Sequence, residues 1–169
     1  EIRKVLVVCP ASLRLNWRKE LVKWLVRKMS IAVVNGGKTS DFASAEVTVI
    51  NYDVVQKHRE AIDRNGPYDL MILDESHRLK SKDARRTKAI YGEPRKGVKG
   101  ITAARVLALS GTPVVNRPVE LWTFLEYADS DGLGSNFFAF AKTYCGAYET
   151  QWGWDFSGAS NLERLQREL

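Results

Sequence analysis

A chain of 169 residues, 44% hydrophobic and 27% charged, is long enough for one core and too short for two well-filled ones, so a single domain over 1–169 is expected. No stretch approaches the roughly 18 to 20 apolar residues of a membrane span, and Glu-Ile-Arg-Lys running into Val-Leu-Val-Val lacks a signal peptide's cleavage site, which predicts a soluble intracellular protein with no membrane partner. The formal charge of +6 is local: from Arg78 to Gly100 nine bases face two acids, whereas the rest of the chain carries 17 bases and 18 acids. That basic stretch is either a solvated face with a loop or a surface for a polyanion such as nucleic acid.

In chain order, residues 5–8 are a continuous apolar run suited to an inner parallel strand that ends at Cys9. Pro10 and Ser12 then open a helix on which Leu13, Trp17, Leu21, Trp24 and Leu25 share a face and read as core. A short strand at 31–34 turns at Asn35, Gly36 and Gly37; the next strand is 47–50, followed by a helix over 53–64 that closes at Asn65, Gly66 and Pro67. His58, on that otherwise polar helix, is expected at the surface. An apolar strand at 70–73 is followed by a basic helix over 81–90 and a loop rich in Gly, Lys and Arg over 92–100. A further buried strand, 106–109, ends at Ser110, Gly111, Thr112 and Pro113. Pro118 opens a helix to Tyr127, 137–144 forms another that ends at Cys145, and Ser160 with Glu163 makes a capping box for a last helix. Both cysteines are expected as reduced, buried thiols rather than a disulfide. Alternation of this kind predicts an α/β fold, a doubly wound parallel sheet whose sites lie beyond the carboxyl ends of its strands.

Two strand ends carry chemistry. Residues 70–75, Leu-Met-Ile-Leu-Asp-Glu, bury an apolar run that ends in two adjacent acids, Asp74 and Glu75, followed by Ser76 and His77. Two carboxylates there are costly unless a cation meets them, which points to a metal and a phosphate in the manner of a Walker B site. Ser110, Gly111 and Thr112 follow the other apolar strand, so in a parallel sheet both groups project from one edge. Gly36, Gly37, Lys38 and Thr39 mimic the end of a phosphate loop, but the pattern G-x-x-x-x-G-K-[ST] needs glycine where Ala32 stands, and a plain turn is expected.

Four segments in order carry a family likeness: Val-Leu-Val-Val-Cys-Pro-Ala-Ser-Leu over 5–13 with Asn16 and Trp17; Ile50, Asn51 and Tyr52; Leu-Asp-Glu-Ser-His-Arg-Leu-Lys over 73–80; and Leu-Ser-Gly-Thr-Pro over 109–113 with Asn116, Glu120, Leu121 and Trp122. They resemble motifs Ia, Ib, II and III of the Swi/Snf-type ATPases, DNA translocases of helicase superfamily two. Trp152, Gly153, Trp154 and Asp155 with residues 158–162 are similar to the end of the first motor lobe in the fork-remodelling, annealing-helicase branch.

The resemblance implies a RecA-like first lobe that shares ATP and Mg²⁺ with a second lobe of the same parent chain and moves along double-stranded or forked DNA. It places the phosphate-binding lysine before Glu1 and the arginine finger after Leu169, so the segment alone is expected not to hydrolyse ATP. Asp74 would hold Mg²⁺ and Glu75 would orient and deprotonate the attacking water. His77, Ser110, Gly111 and Thr112 would couple the nucleotide site to the motif III loop. Ser12 with the amides at its helix start, Asn51 and Tyr52 would meet DNA phosphates, and Lys80, Lys82, Arg85 and Arg86 would extend the track. The strand at 106–109 would lack a neighbour on one side and invite self-association. The rival readings are a non-catalytic DNA-binding or scaffolding module, and a metal-dependent nuclease built on Asp74, Glu75 and His77.

Overall fold

The computed structural model describes residues 1–37, 44–111 and 117–169. They divide into two compact units, one of Glu1–Ser76 with Asp83–Ser110 and one of His77–Lys82 with Gly111–Leu169.

The first unit is a five-stranded parallel sheet. Its strands are β1 (Val5–Cys9), β2 (Ile31–Val33), β3 (Val47–Asn51), β4 (Leu70–Asp74) and a strand at Val106–Leu109, in the spatial order β2, β3, β1, β4 and Val106–Leu109. All five residues of β1 are buried, because the strand sits at the centre with covered faces on both sides. Val5 pairs with both Val47 and Leu70, and Asp74 pairs with Leu109. Side chains alternate across the sheet: Val5, Val7, Cys9, Val47 and Val49 form one face, while Leu6, Val8, Thr48, Ile50, Met71 and Leu73 are fully buried on the other.

Helix α1 (Arg14–Trp24) follows a single 3-10 turn at Ala11–Leu13 and covers the first of those faces with Leu13, Trp17, Leu21 and Leu25. Trp24, expected in the core, is 68% exposed. The helix ends there and the extended Leu25 packs, partly buried, against the core, while the Trp24 indole donates to Glu20 at 2.8 Å. The helix expected over 53–64 is two 3-10 turns, Tyr52–Val54 and Gln56–His58, leading into α2 (Arg59–Asn65). That tighter winding carries His58 inward, so it is buried and not at the surface. Helix α3 (Arg85–Tyr91) starts four residues later than the basic run suggests, after a turn at 82–84. The expected loop at 92–100 is a hairpin of β5 (Gly92–Glu93) and β6 (Val98–Lys99), and the edge strand Val106–Leu109 becomes β7.

The second unit packs α4 (Trp122–Ala128), α5 (Phe137–Tyr144) and α6 (Leu162–Glu168) with a hairpin of β8 (Tyr148–Thr150) and β9 (Gly153–Asp155). Trp122, Leu125, Phe140, Tyr144, Cys145 and Leu165 form its core. Trp154 stacks on Phe156, whereas Trp152 at the hairpin turn is 89% exposed. The expected capping box is absent. Ser160 Oγ and Asn161 Nδ2 instead donate to the Thr143 carbonyl near the end of α5, at 2.8 and 2.7 Å, so those side chains are committed before α6 begins. Both cysteines are free and buried, as expected.

Candidate functional site

Parallel pairing brings every strand's carboxyl end to one edge of the sheet. Asp74 pairs with Leu109 and Cys9 with Asn51, so the residues that follow, Glu75, Ser110, Pro10 and Tyr52, open from the same edge. Ser110 and Gly111 are exposed there; Thr112, Pro113 and Asn116, like Lys38 and Thr39, lie outside the described residues.

Asp74 is half-buried and held twice. Its Oδ2 accepts the Trp17 indole N–H at 2.8 Å, and its main-chain carbonyl accepts the Tyr52 hydroxyl at 2.6 Å. An ionised carboxylate has about four acceptor positions, so one indole bond leaves capacity for a hydrated cation. The next residue, Glu75, has φ of 54°, a left-handed backbone that costs an ordinary side chain about 1–2 kcal/mol. Such outliers persist where the surroundings over-determine them, and they gather at functional sites. Cys9 lies near enough for the charge to register: burial first, and the Asp74 carboxylate second, push its thiol up to about 12, against a smaller lowering by Arg14. Cys9 is thus a neutral, inert packing residue.

The expected DNA contacts divide. Ser12 is exposed at the start of the turn leading into α1. Asn51 and Tyr52 are 6% and 2% exposed, contrary to the expectation of a surface contact, because the 3-10 turn after β3 swings the Tyr52 ring inward to reach Asp74. Arg85 is exposed and Arg86 half-buried on α3, in the first unit. His77, Lys80 and Lys82 are exposed in the second unit, where Lys80 Nζ lies 3.3 Å from Glu120 and its carbonyl accepts Thr123 Oγ1 at 3.1 Å. Among the described residues no three His, Cys, Asp or Glu side chains gather as a metal-ligand set.

Trp17 was missed as a site residue because helical periodicity reports which face is buried and not where a ring N–H points. A signal did exist: an indole N–H drawn toward the core seeks an acceptor, and α1 follows the strand that lies beside β4.

A five-stranded parallel sheet with flanking helices is the RecA-like fold. The Sulfolobus solfataricus SWI2/SNF2 ATPase core, solved in complex with dsDNA, shares this fold with a TM-score of 0.68 and 21% identity, over 85% of this chain and 28% of that one. Residues 1–163 match the model of the SNF2-related domain, and the chain belongs to that family. It is 35% identical over 164 residues to the SWI/SNF-related matrix-associated actin-dependent regulator of chromatin subfamily A-like protein 1 of Xenopus tropicalis, covering 96% of this chain. It is 33% identical over 175 residues to the human DNA annealing helicase and endonuclease ZRANB3, covering 98% of this chain. In both cases the chain spans 16% of the relative's length.

Proposed function

We propose that these 169 residues are part of the first lobe of a DNA-dependent ATPase motor and supply the acid pair of its Mg-ATP site and part of its duplex DNA track. The supporting observation is the placement of Asp74 and Glu75 at the carboxyl edge of a parallel sheet, level with Ser110, in a chain of the SNF2-related family. The residues fit a hydrated Mg²⁺: Asp74 is half-buried, ionisable and only partly occupied by Trp17. Asp74 would hold that ion through water, and the ion would neutralise charge developing on the phosphates. Glu75 would orient the attacking water and accept its proton on the carboxylate. Ser110 and Thr112 would offer hydroxyls that change partner as phosphate leaves, and His77 would be a further coupling residue. Ser12 would meet a DNA phosphate at the start of its helix, with Arg85, Arg86, Lys80 and Lys82 as further bases. The buried Asn51 and Tyr52 would support that edge from beneath.

The sequence contains no G-x-x-x-x-G-K-[ST] pattern, and an ATPase of the P-loop class cradles its phosphates with such a loop, so the 169 residues alone should not turn over ATP. Turnover is measured for the purified chain with and without duplex DNA. DNA-stimulated hydrolysis at the rate of a complete motor would overturn this. In a complete motor built around these residues, Glu75→Gln should lower kcat at least about 100-fold. Affinity of the chain for duplex DNA should fall steeply with added salt, as phosphate contacts require; a flat titration would refute the DNA track.

A further inference from the structure

Two aromatic side chains converge on Asp74 from different elements. Trp17 comes from α1, the helix that follows β1, and Tyr52 from the turn that follows β3. One grips the side chain, Nε1–H to Oδ2 at 2.8 Å; the other grips the main chain, hydroxyl to carbonyl at 2.6 Å. The carbonyl that Tyr52 holds belongs to the peptide linking Asp74 to Glu75, and Glu75 is the residue with the left-handed φ of 54°. Rotation of that peptide would carry the Glu75 side chain with it, so the Tyr52 bond restrains the direction in which Glu75 leaves the strand. The Trp17 bond restrains the carboxylate of Asp74 itself. Tyr52 is 2% exposed, and Trp17 is partly buried against the core residues of β1 and β3.

We propose that Trp17 and Tyr52 are positioning residues for the acid pair, Trp17 aiming the Asp74 carboxylate and Tyr52 fixing the peptide that presents Glu75. The proposal rests on reading Asp74 and Glu75 as the Mg-ATP acids. It also ties α1 and the turn after β3 to those acids through one hydrogen bond each.

The test is the Mg²⁺ dependence of ATP turnover in a complete motor built around these residues, with Glu75→Gln measured alongside. Trp17→Phe should raise the half-saturating Mg²⁺ concentration about five- to tenfold, with turnover largely recovered at high Mg²⁺. Tyr52→Phe should lower kcat about tenfold with little change in Mg²⁺ dependence, because it loosens Glu75 and not the carboxylate of Asp74. A packing role alone would lower Tm and the active fraction in both variants and leave the Mg²⁺ midpoint in place, and that result would overturn the proposal. Should Trp17→Phe fail to fold, a tryptophan isostere with sulphur in place of the ring N–H keeps the shape and removes the donor; a wild-type Mg²⁺ midpoint there is equally fatal. If Glu75→Gln turns over ATP like the wild type, the reading of the acid pair falls, and this proposal with it.

Discussion

Thr48 lies in the middle of β3, fully buried, and among the described residues its Oγ1 has no hydrogen-bond partner. A buried hydroxyl without a partner costs about 1–3 kcal/mol, whereas valine has the same branched shape and suits a strand equally well. Thr48→Val should therefore stabilise the chain by about 1 kcal/mol or more, seen as a raised urea midpoint with an unchanged slope; a lowered midpoint would show that the hydroxyl is satisfied in solution. At this scale the acids were legible and their supports were not. Asp74 and Glu75 announce themselves because charge at the end of an apolar run has few explanations. Trp17, Tyr52 and His58 do not, since an amphipathic pattern gives a residue's depth but not the atom it reaches for. Trp17, expected as core, is partly buried against it, and its ring N–H is also the donor to Asp74.

Among elements, β1 and β4 are tied at their starts as well as along their length. Asp69 Oδ2 accepts the main-chain N–H groups of Arg3 and Lys4 at 2.7 and 2.8 Å, and these two bonds hold its carboxyl below the usual value of 3.8. A carboxyl with a depressed folded-state pKa contributes stability that is present above its unfolded value and lost as pH falls through the folded one. Asp69→Ala should thus be less stable than the wild type in urea at pH 7, with the difference shrinking below about pH 4. A gap that persists at pH 2 would point to packing instead. The strands and helices of the sheet were legible from apolar runs and punctuation, apart from the helix over 53–64, which the 3-10 turns break up. The hairpin at 92–99 was not, because two-residue strands leave no periodicity to read. Its one signal is Gly92, whose φ of 75° and close approach to the Val98 carbonyl exclude a side chain. The capping box at Ser160 failed for a different reason: the motif is local, and a carbonyl 17 residues earlier in the chain claimed its hydroxyl.

Over the whole molecule, the alternation of strand and helix was enough to place both candidate groups on one edge of a parallel sheet. The family resemblance, and not the alternation, implied an open side. Strand β7 is the last in the sheet order, with Leu107 47% exposed. An apolar edge strand pairs readily with another chain, and a lysine there discourages it. Sedimentation velocity should show self-association that grows with concentration and is suppressed by Leu107→Lys; a monomer at every concentration would count against an available edge. The central position of β1 has a consequence for the order of assembly. Its partners are the third and fourth strands, so Val5 is made before both and waits for Val47 and then for Leu70. Non-local pairing of this kind slows folding. During synthesis the stickiest five residues of the chain stay uncovered until their last partner has been made, and a chaperone that shields Val-Leu-Val-Val-Cys would do most good in that interval.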